Sequence, residues 1–102
     1  MDKEANKRVA EMEEALNKSN KVIEEFRAAL EKFENERESI KKLSKYYTEN
    51  WMDDYNLAEN GEIDPEMPQG VLSEDALYDM LGDNYYLGLD LLKLATDIIT
   101  ND

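Results

Sequence analysis

Carboxylate, tyrosine, lysine and serine side chains are the groups that could do chemistry in this sequence of 102 residues, because histidine and cysteine are both absent. Without them the chain cannot build a cysteine nucleophile, a histidine general base or a zinc site. Two pairs of adjacent acids, Asp53-Asp54 and Glu74-Asp75, carry groups suited to acid–base catalysis. Adjacent residues on a helix do not face each other, so neither pair makes a catalytic dyad. We therefore predict that the protein is not an enzyme and needs no cofactor.

The acidic segment from Asn56 to Met67 is the candidate for calcium binding, because it contains a central glycine, Gly61. If Gly61 is the sixth residue of an EF-hand loop, the third is Ala58 and the twelfth is Met67. Neither side chain carries the oxygen ligand that those two positions require. We therefore exclude an EF-hand and predict no metal site.

Aromatic residues are concentrated in the second half, where all six tyrosines and the single tryptophan lie between residues 46 and 86. Tyrosine and tryptophan anchor many protein interfaces, but tyrosine is also common at the edge of a hydrophobic core. We expect some of these residues in each role. The predicted core group is Tyr47, Trp51, Tyr78 and Tyr85, and the predicted exposed group is Tyr46, Tyr55 and Tyr86.

Charge is divided unevenly along the chain. Residues 1–45 carry eleven acids and eleven bases, whereas residues 46–102 carry fourteen acids and one base, so the second half holds the whole net charge of −13. A field of one sign repels nucleic acids and anionic membranes and attracts basic protein surfaces. A purely solubilising surface is the alternative interpretation.

The aromatic and acidic residues together predict a protein that covers a basic, nucleic-acid-binding surface of a partner protein. Carboxylates can take the places of phosphates against lysine and arginine clusters, and aromatic side chains can supply the anchors. We predict no direct contact with nucleic acid or with a membrane. The predicted partner-binding residues are Tyr46, Asp53, Asp54, Tyr55, Glu59, Glu62, Glu74, Asp75, Asp79 and Tyr86.

One long helix accounts for the first half of the chain. From Ala5 to Tyr47, thirteen positions follow at alternating spacings of four and three residues, ten of them are apolar, and no proline or glycine intervenes. This is a heptad stripe on a helix roughly 60 Å long, with Phe26 and Leu30 as expected core positions. The stripe is Ala5, Val9, Met12, Leu16, Ser19, Ile23, Phe26, Leu30, Phe33, Arg37, Ile40, Ser44 and Tyr47.

A second apolar row lies beside this heptad stripe and contains Ala15, Val22, Ala29 and Leu43. The combined face is wider than a two-stranded coiled coil requires, so we expect more than one neighbouring helix and favour a homodimer over a monomer. The alternative function is therefore a structural or assembly module that dimerises, or binds a partner helix, through the stripe.

Turn and capping signals divide the rest of the chain into shorter helices. Asn60-Gly61 and the two following prolines predict a loop over residues 60–70. Ser73 is a suitable N-cap for a helix that ends near Gly82, and a last helix follows over about 84–99. The pattern leaves open whether residues 46–55 continue the first helix or form another.

The predicted fold is all-α, a single domain in which two or three shorter helices fold back on one long N-terminal helix. No stretch of 18 apolar residues is present, and three of the first four residues are charged, so we predict no membrane span, no signal peptide and a cytoplasmic protein. The predicted parts are a charge-balanced helix (1–45), an aromatic and acidic segment with the loop (46–70), and the C-terminal helices (71–102).

The block Gly-Val-Leu-Ser-Glu-Asp-Ala-Leu-Tyr-Asp-Met-Leu, at residues 70–81, resembles a family of short, acidic, helical bacterial proteins of unknown function. Upstream residues that fit the same pattern are Tyr46, Tyr47, Trp51, Asp54, Tyr55 and the run Glu59-Asn60-Gly61-Glu62-Ile63. This chain departs from the pattern by placing Asp64 before Pro65. The resemblance implies a helical fold and a cytoplasmic bacterial origin, without an activity. By size and charge alone the chain also looks like small acidic anti-CRISPR inhibitors, so an RNA-guided nuclease is the most concrete partner that we predict.

Overall fold

The computed structural model describes residues 1–101, and it is all-α, as the sequence predicts. Helices account for 84% of the residues that the structure describes, and residues 1–101 contain no strand. The elements are α1 (Lys3–Glu49), α2 (Trp51–Glu59), a 3-10 turn (Gly70–Leu72) and α3 (Ala76–Asn101). The chain divides into two compact units, Met1–Glu38 and Ser39–Asp102.

Helix α1 has 47 residues and confirms the long helix that the heptad pattern predicts. It begins after Asp2, whose carboxylate accepts a hydrogen bond from the backbone N–H of Ala5 at 3.0 Å. This contact satisfies one of the backbone donors that every helix N-terminus leaves unpaired. On the surface of α1, Glu14 and Lys18 are four residues apart and form an ion pair at 3.2 Å.

In the first unit, the apolar stripe of α1 is exposed to solvent from Val9 to Leu30. The side chain of Phe26 is 48% exposed and that of Leu30 is 37% exposed, and α1 has no buried residue. The prediction that these two residues belong to a core is therefore wrong for the single chain. An amphipathic helix buries its apolar face only against another surface, and α1 alone supplies none.

Helices α1 and α2 are separated by a single residue, Asn50, so residues 51–55 belong to a separate helix. Asn50 has φ −125° and ψ −17°, away from the helical minimum. Asn50 nevertheless keeps the helical pattern of backbone hydrogen bonds. Its N–H donates to the carbonyl of Tyr46 at 2.9 Å, and its carbonyl accepts from the N–H of Asp54 at 3.0 Å.

The predicted turn at Asn60-Gly61 is confirmed as the C-terminal cap of α2. Gly61 has φ +74°, a left-handed conformation that glycine adopts without steric cost. Its N–H donates to the carbonyl of Ala58 at 3.1 Å, and the N–H of Glu62 donates to that of Leu57 at 2.9 Å. This pair of bonds is the Schellman motif that commonly ends helices.

Asp64, which the resemblance marks as a departure from the expected pattern, organises the loop that follows. Its carbonyl accepts hydrogen bonds from the N–H of Met67 at 3.2 Å and from Nε2 of Gln69 at 2.8 Å. Its carboxylate accepts from the N–H of Glu66 at 3.0 Å. Aspartate at the first position of a turn, followed by proline, favours this geometry, so the departure is a local stabilising feature.

Helix α3 runs without interruption from Ala76 to Asn101, so the predicted division near Gly82 is wrong. Gly82 lacks the positive φ that ends a helix, and a glycine inside a helix costs only about 0.5–1 kcal/mol relative to alanine. A cost of this size does not by itself end a helix, and α3 continues through Gly82. The helix also starts later than Ser73 predicts, since the carbonyl of Asp75 accepts its first hydrogen bond, from Asp79.

The small core of the second unit contains two buried apolar side chains, Trp51 and Leu77. The indole Nε1–H of Trp51 donates to the carbonyl of Val71 at 2.8 Å, and this bond ties the start of α2 to the 3-10 turn. The ring of Trp51 stacks on Tyr55, with centroids 5.1 Å apart, and meets Tyr47 at 5.7 Å. Because the 3-10 turn contacts both α2 and α3, these interactions fix the first turns of α3.

Candidate functional site

The second unit has a surface groove, here called the tyrosine groove, with a volume of about 680 Å³. The last turns of α1 supply one side of it and the first half of α3 supplies the rest. The lining residues are Tyr47, Tyr78, Asp79, Leu81, Gly82, Asp83, Tyr85 and Tyr86.

Helical spacing explains how α3 presents these side chains. Residues four and seven positions apart on a helix share a face. Tyr78 and Tyr85 therefore lie on one row with Gly82 between them. Asp79, Asp83 and Tyr86 repeat the same spacing one position later and form the adjoining row.

Gly82 leaves the groove open between the tyrosines. A Cβ atom added at Gly82 would meet nothing within 4 Å, so no other side chain occupies that space. The rings of Tyr85 and Tyr86 lie edge to face, with centroids 5.7 Å apart and an interplanar angle of 76°. The groove thus presents aromatic rings around an unfilled helical surface.

The electrostatic character of the groove follows from its lining, which has two carboxylates and no basic residue. Tyr78, Tyr85 and Tyr86 are each about two-thirds exposed, at 65%, 64% and 65%. Aromatic faces attract cations, and carboxylates pair with them, so both kinds of group favour the same ligand. The arrangement suits a lysine or arginine side chain.

Of the ten partner-binding residues that the sequence predicts, the groove brings together two, Asp79 and Tyr86. Five other carboxylates are exposed outside its lining. The remaining three side chains are half-buried and make contacts within the unit. The exposed five are Asp53, Glu59, Glu62, Glu74 and Asp75, and the half-buried three are Tyr46, Asp54 and Tyr55.

Tyr46 and Asp54 join α1 to α2. The hydroxyl of Tyr46 donates to Oδ2 of Asp54 at 2.7 Å, and both side chains are half-buried. Burial, together with the hydrogen bond and the negative charge of Asp54, raises the pKa of Tyr46 to about 12. The Tyr46 hydroxyl therefore has a structural partner inside the unit.

We expect Tyr46 to ionise well above its ordinary pKa of 10.0 in an absorbance titration at 295 nm. Its pKa of about 12 exceeds the ordinary value of 10.0, so its stabilising contribution is complete below pH 10 and is lost as the pH rises towards 12. Tyr46→Phe should remove the late-ionising group, and Asp54→Asn should shift it to lower pH. A wild-type titration in which all tyrosines ionise together near pH 10 would contradict the hydrogen bond.

Six of the eight residues that line the groove are missing from the predicted site: Tyr47, Tyr78, Leu81, Gly82, Asp83 and Tyr85. Tyr78 and Tyr85 are expected in the core, yet they are exposed, whereas the burial of Trp51 is confirmed. The sequence does not show that α3 continues through Gly82, and this continuity decides where the two tyrosines lie. Once a single helix is assumed there, the seven-residue spacing of Tyr78 and Tyr85 puts both on one face.

Residues 1–101 contain neither a cluster of metal ligands nor a membrane-spanning helix. Within that range, no group of three or more carboxylates is arranged to hold a metal ion. The helices of the same range include none with the length and apolar character needed to cross a bilayer.

A family model described as a domain of unknown function, DUF4298, matches residues 9–94. The chain belongs to the DUF4298 family. The match includes the whole tyrosine groove and most of the heptad stripe, and it agrees with the resemblance to a helical family of unknown function. No curated protein and no solved structure matches the chain. DUF4298 membership assigns no activity, so the likeness to anti-CRISPR inhibitors stays a prediction.

Proposed function

We propose that this DUF4298 protein is a non-enzymatic binding protein whose tyrosine groove accepts a basic segment of a partner protein. The observation that supports the proposal is the composition of the groove, which combines four tyrosines, two aspartates and no base. Three of these tyrosines, Tyr78, Tyr85 and Tyr86, are exposed on α3, which is unusual for a surface that serves only solubility, since a solubilising surface is mainly charged.

Arginine is the side chain that this groove fits best. Its planar guanidinium stacks on aromatic rings and forms two parallel hydrogen bonds to a carboxylate. Asp79 and Asp83 supply carboxylates one helical turn apart, beside the exposed rings of Tyr85 and Tyr86. A lysine can use the same groups, but as a point charge with less geometric match.

The wider charge distribution suggests which basic surface is covered. The fourteen acids and one base after residue 45 extend the negative field beyond the groove. Surfaces that bind nucleic acids present clustered lysines and arginines to phosphates, and carboxylates can occupy the same positions. We therefore propose that the protein competes with nucleic acid for its partner, with an RNA-guided nuclease as the most specific version.

Filling the groove at Gly82 tests the proposal without harming the fold. Gly82→Leu places a side chain in open space, and leucine favours a helix over glycine by about 0.5–1 kcal/mol. We expect the variant to melt at a higher temperature, yet to bind a short peptide of alternating arginine and glycine severalfold more weakly in isothermal titration calorimetry.

Gly88→Leu is the matched control, because Gly88 lies in the same helix, also has open space around it and does not line the groove. It should show the same gain in melting temperature and wild-type peptide affinity. Equal affinities of Gly82→Leu, Gly88→Leu and wild type for the peptide would refute the groove as the binding site.

A further inference from the structure

The heptad stripe of the first unit is an apolar surface without a partner in the single chain. Val9 is 61% exposed, Leu16 is 53% exposed and Ile23 is 55% exposed, along one face of a continuous helix. We infer that a second copy of this chain covers residues 5–37 of the stripe, with the two α1 helices antiparallel and Leu16 of each copy opposite Phe26 of the other.

Side-chain sizes favour this register. It places each phenylalanine opposite a smaller residue, Phe26 against Leu16 and Phe33 against Val9 of the second copy. Alternating large and small side chains across facing layers fill space without voids. A parallel pair would instead stack Phe26 on Phe26 and Phe33 on Phe33, and leave smaller residues facing each other elsewhere.

The second apolar row fits the same arrangement. Beside the main layers, Val22 meets Val22 of the second copy, and Ala15 meets Ala29. These small side chains allow the helices to approach closely. The second copy therefore covers the second apolar row as well as the heptad stripe, although the combined face is wider than an ordinary two-stranded seam. Each copy uses the same surface, as a two-fold symmetric interface requires.

Charge at the ends of the stripe favours the antiparallel orientation over the parallel one. Arg37 occupies a stripe position, so a parallel pair sets two arginines against each other within the seam. In the antiparallel register, Arg37 lies opposite Ala5 at the edge of the interface. Arg8, on the flank of the stripe, then lies beside Glu36 of the second copy, which gives an attractive pair at each end.

The acidic second unit gives an independent argument for the antiparallel pair. Residues 39–102 carry fourteen acids and four bases, a net charge of −10, and they begin within the C-terminal part of α1. A parallel pair brings two such chains to the same end. The antiparallel pair separates their starting points by the length of the seam, about 48 Å over 32 residues, and so reduces their repulsion.

Spin labels at two asparagines test the orientation, and the absence of native cysteine lets each label be placed alone. Asn20→Cys and Asn6→Cys both lie at exposed positions on the same flank of the stripe. Because Asn20 is near the two-fold axis, its labels should be offset along the helix by only about 3 Å, whereas those at Asn6 should be offset by about 45 Å. Pulsed dipolar spectroscopy on the full chain measures both distances.

Similar distances at Asn6 and Asn20 would show a parallel pair and overturn the inference, and the absence of any dipolar signal would do the same.

Ile23→Lys supplies a second check by sedimentation, with Glu25→Lys as the control on the outer face of the helix. Wild type and Glu25→Lys should sediment as dimers, and Ile23→Lys should sediment at the monomer mass of 11.9 kDa. A wild-type protein that sediments as a monomer at high concentration also overturns the inference.

Discussion

Trp51→Ala is expected to lower the free energy of unfolding of the second unit by about 3–5 kcal/mol, the range for removing a buried aromatic side chain. Trp51 is one of two buried apolar side chains, and it contacts the rings of Tyr47 and Tyr55. Its indole N–H also donates to the carbonyl of Val71. Urea denaturation followed by near-ultraviolet circular dichroism, which detects tyrosines in a fixed environment, measures the loss.

Two other variants separate the contributions to this effect. Trp51→Phe keeps an aromatic ring but removes the donor to Val71, so it should cost about 1–3 kcal/mol, less than the alanine variant. Tyr86→Ala removes an exposed ring and should change stability by less than about 0.5 kcal/mol. If Trp51→Ala proved as stable as Tyr86→Ala, the described core of the second unit would be wrong.

The long helix and the loop could be predicted because local signals decide them. Thirteen heptad positions without a glycine or proline leave little alternative to a helix from Ala5 to Tyr47. Asn60-Gly61 likewise predicts a helix end, since Gly61 supplies the left-handed residue that the cap of α2 needs. Both features depend on residues close together in the sequence.

The continuity of α3 could not be predicted, because a glycine can either end a helix or lie inside one. Gly61 has a positive φ and Gly82 does not, and nothing in the residues beside Gly82 reveals this difference. A division at Gly82 also hides the candidate site. With the helix divided at Gly82, Tyr78 and Tyr85 fall on separate elements, and their common exposed face is lost.

Burial along α1 could not be predicted either, because a heptad pattern shows which face is apolar but not what covers it. Phe26 and Leu30 satisfy the pattern of a core, and a second copy would bury them. The seam over residues 5–37 and the tyrosine groove share no residue, so variants of one surface leave the other intact.

Charge reversal in the groove has the second largest expected effect. Asp79→Lys removes a carboxylate that would pair with an arginine and sets a like charge in its place. We expect the affinity for the arginine–glycine peptide to fall by about tenfold or more, which corresponds to about 1.4 kcal/mol. The fall should shrink as salt is added, because the Debye length decreases from about 10 Å at 0.1 M to about 3 Å at 1 M.

Asp97→Lys is the matched control for this reversal. Asp97 is exposed on the same helix, about 27 Å further along it, and lies outside the groove. Both variants change the net charge by the same amount, so a general attraction between an acidic protein and a basic peptide would weaken equally in the two. A specific groove predicts unequal losses.

The most direct measurement of the central claim is therefore the ratio of the peptide's dissociation constants for Asp79→Lys and Asp97→Lys, taken in one buffer at 0.1 M salt. If the tyrosine groove is the binding site, Asp79→Lys binds about tenfold more weakly than Asp97→Lys, and Asp97→Lys stays close to wild type. If the two constants are equal, binding reflects net charge alone and the groove is not the site.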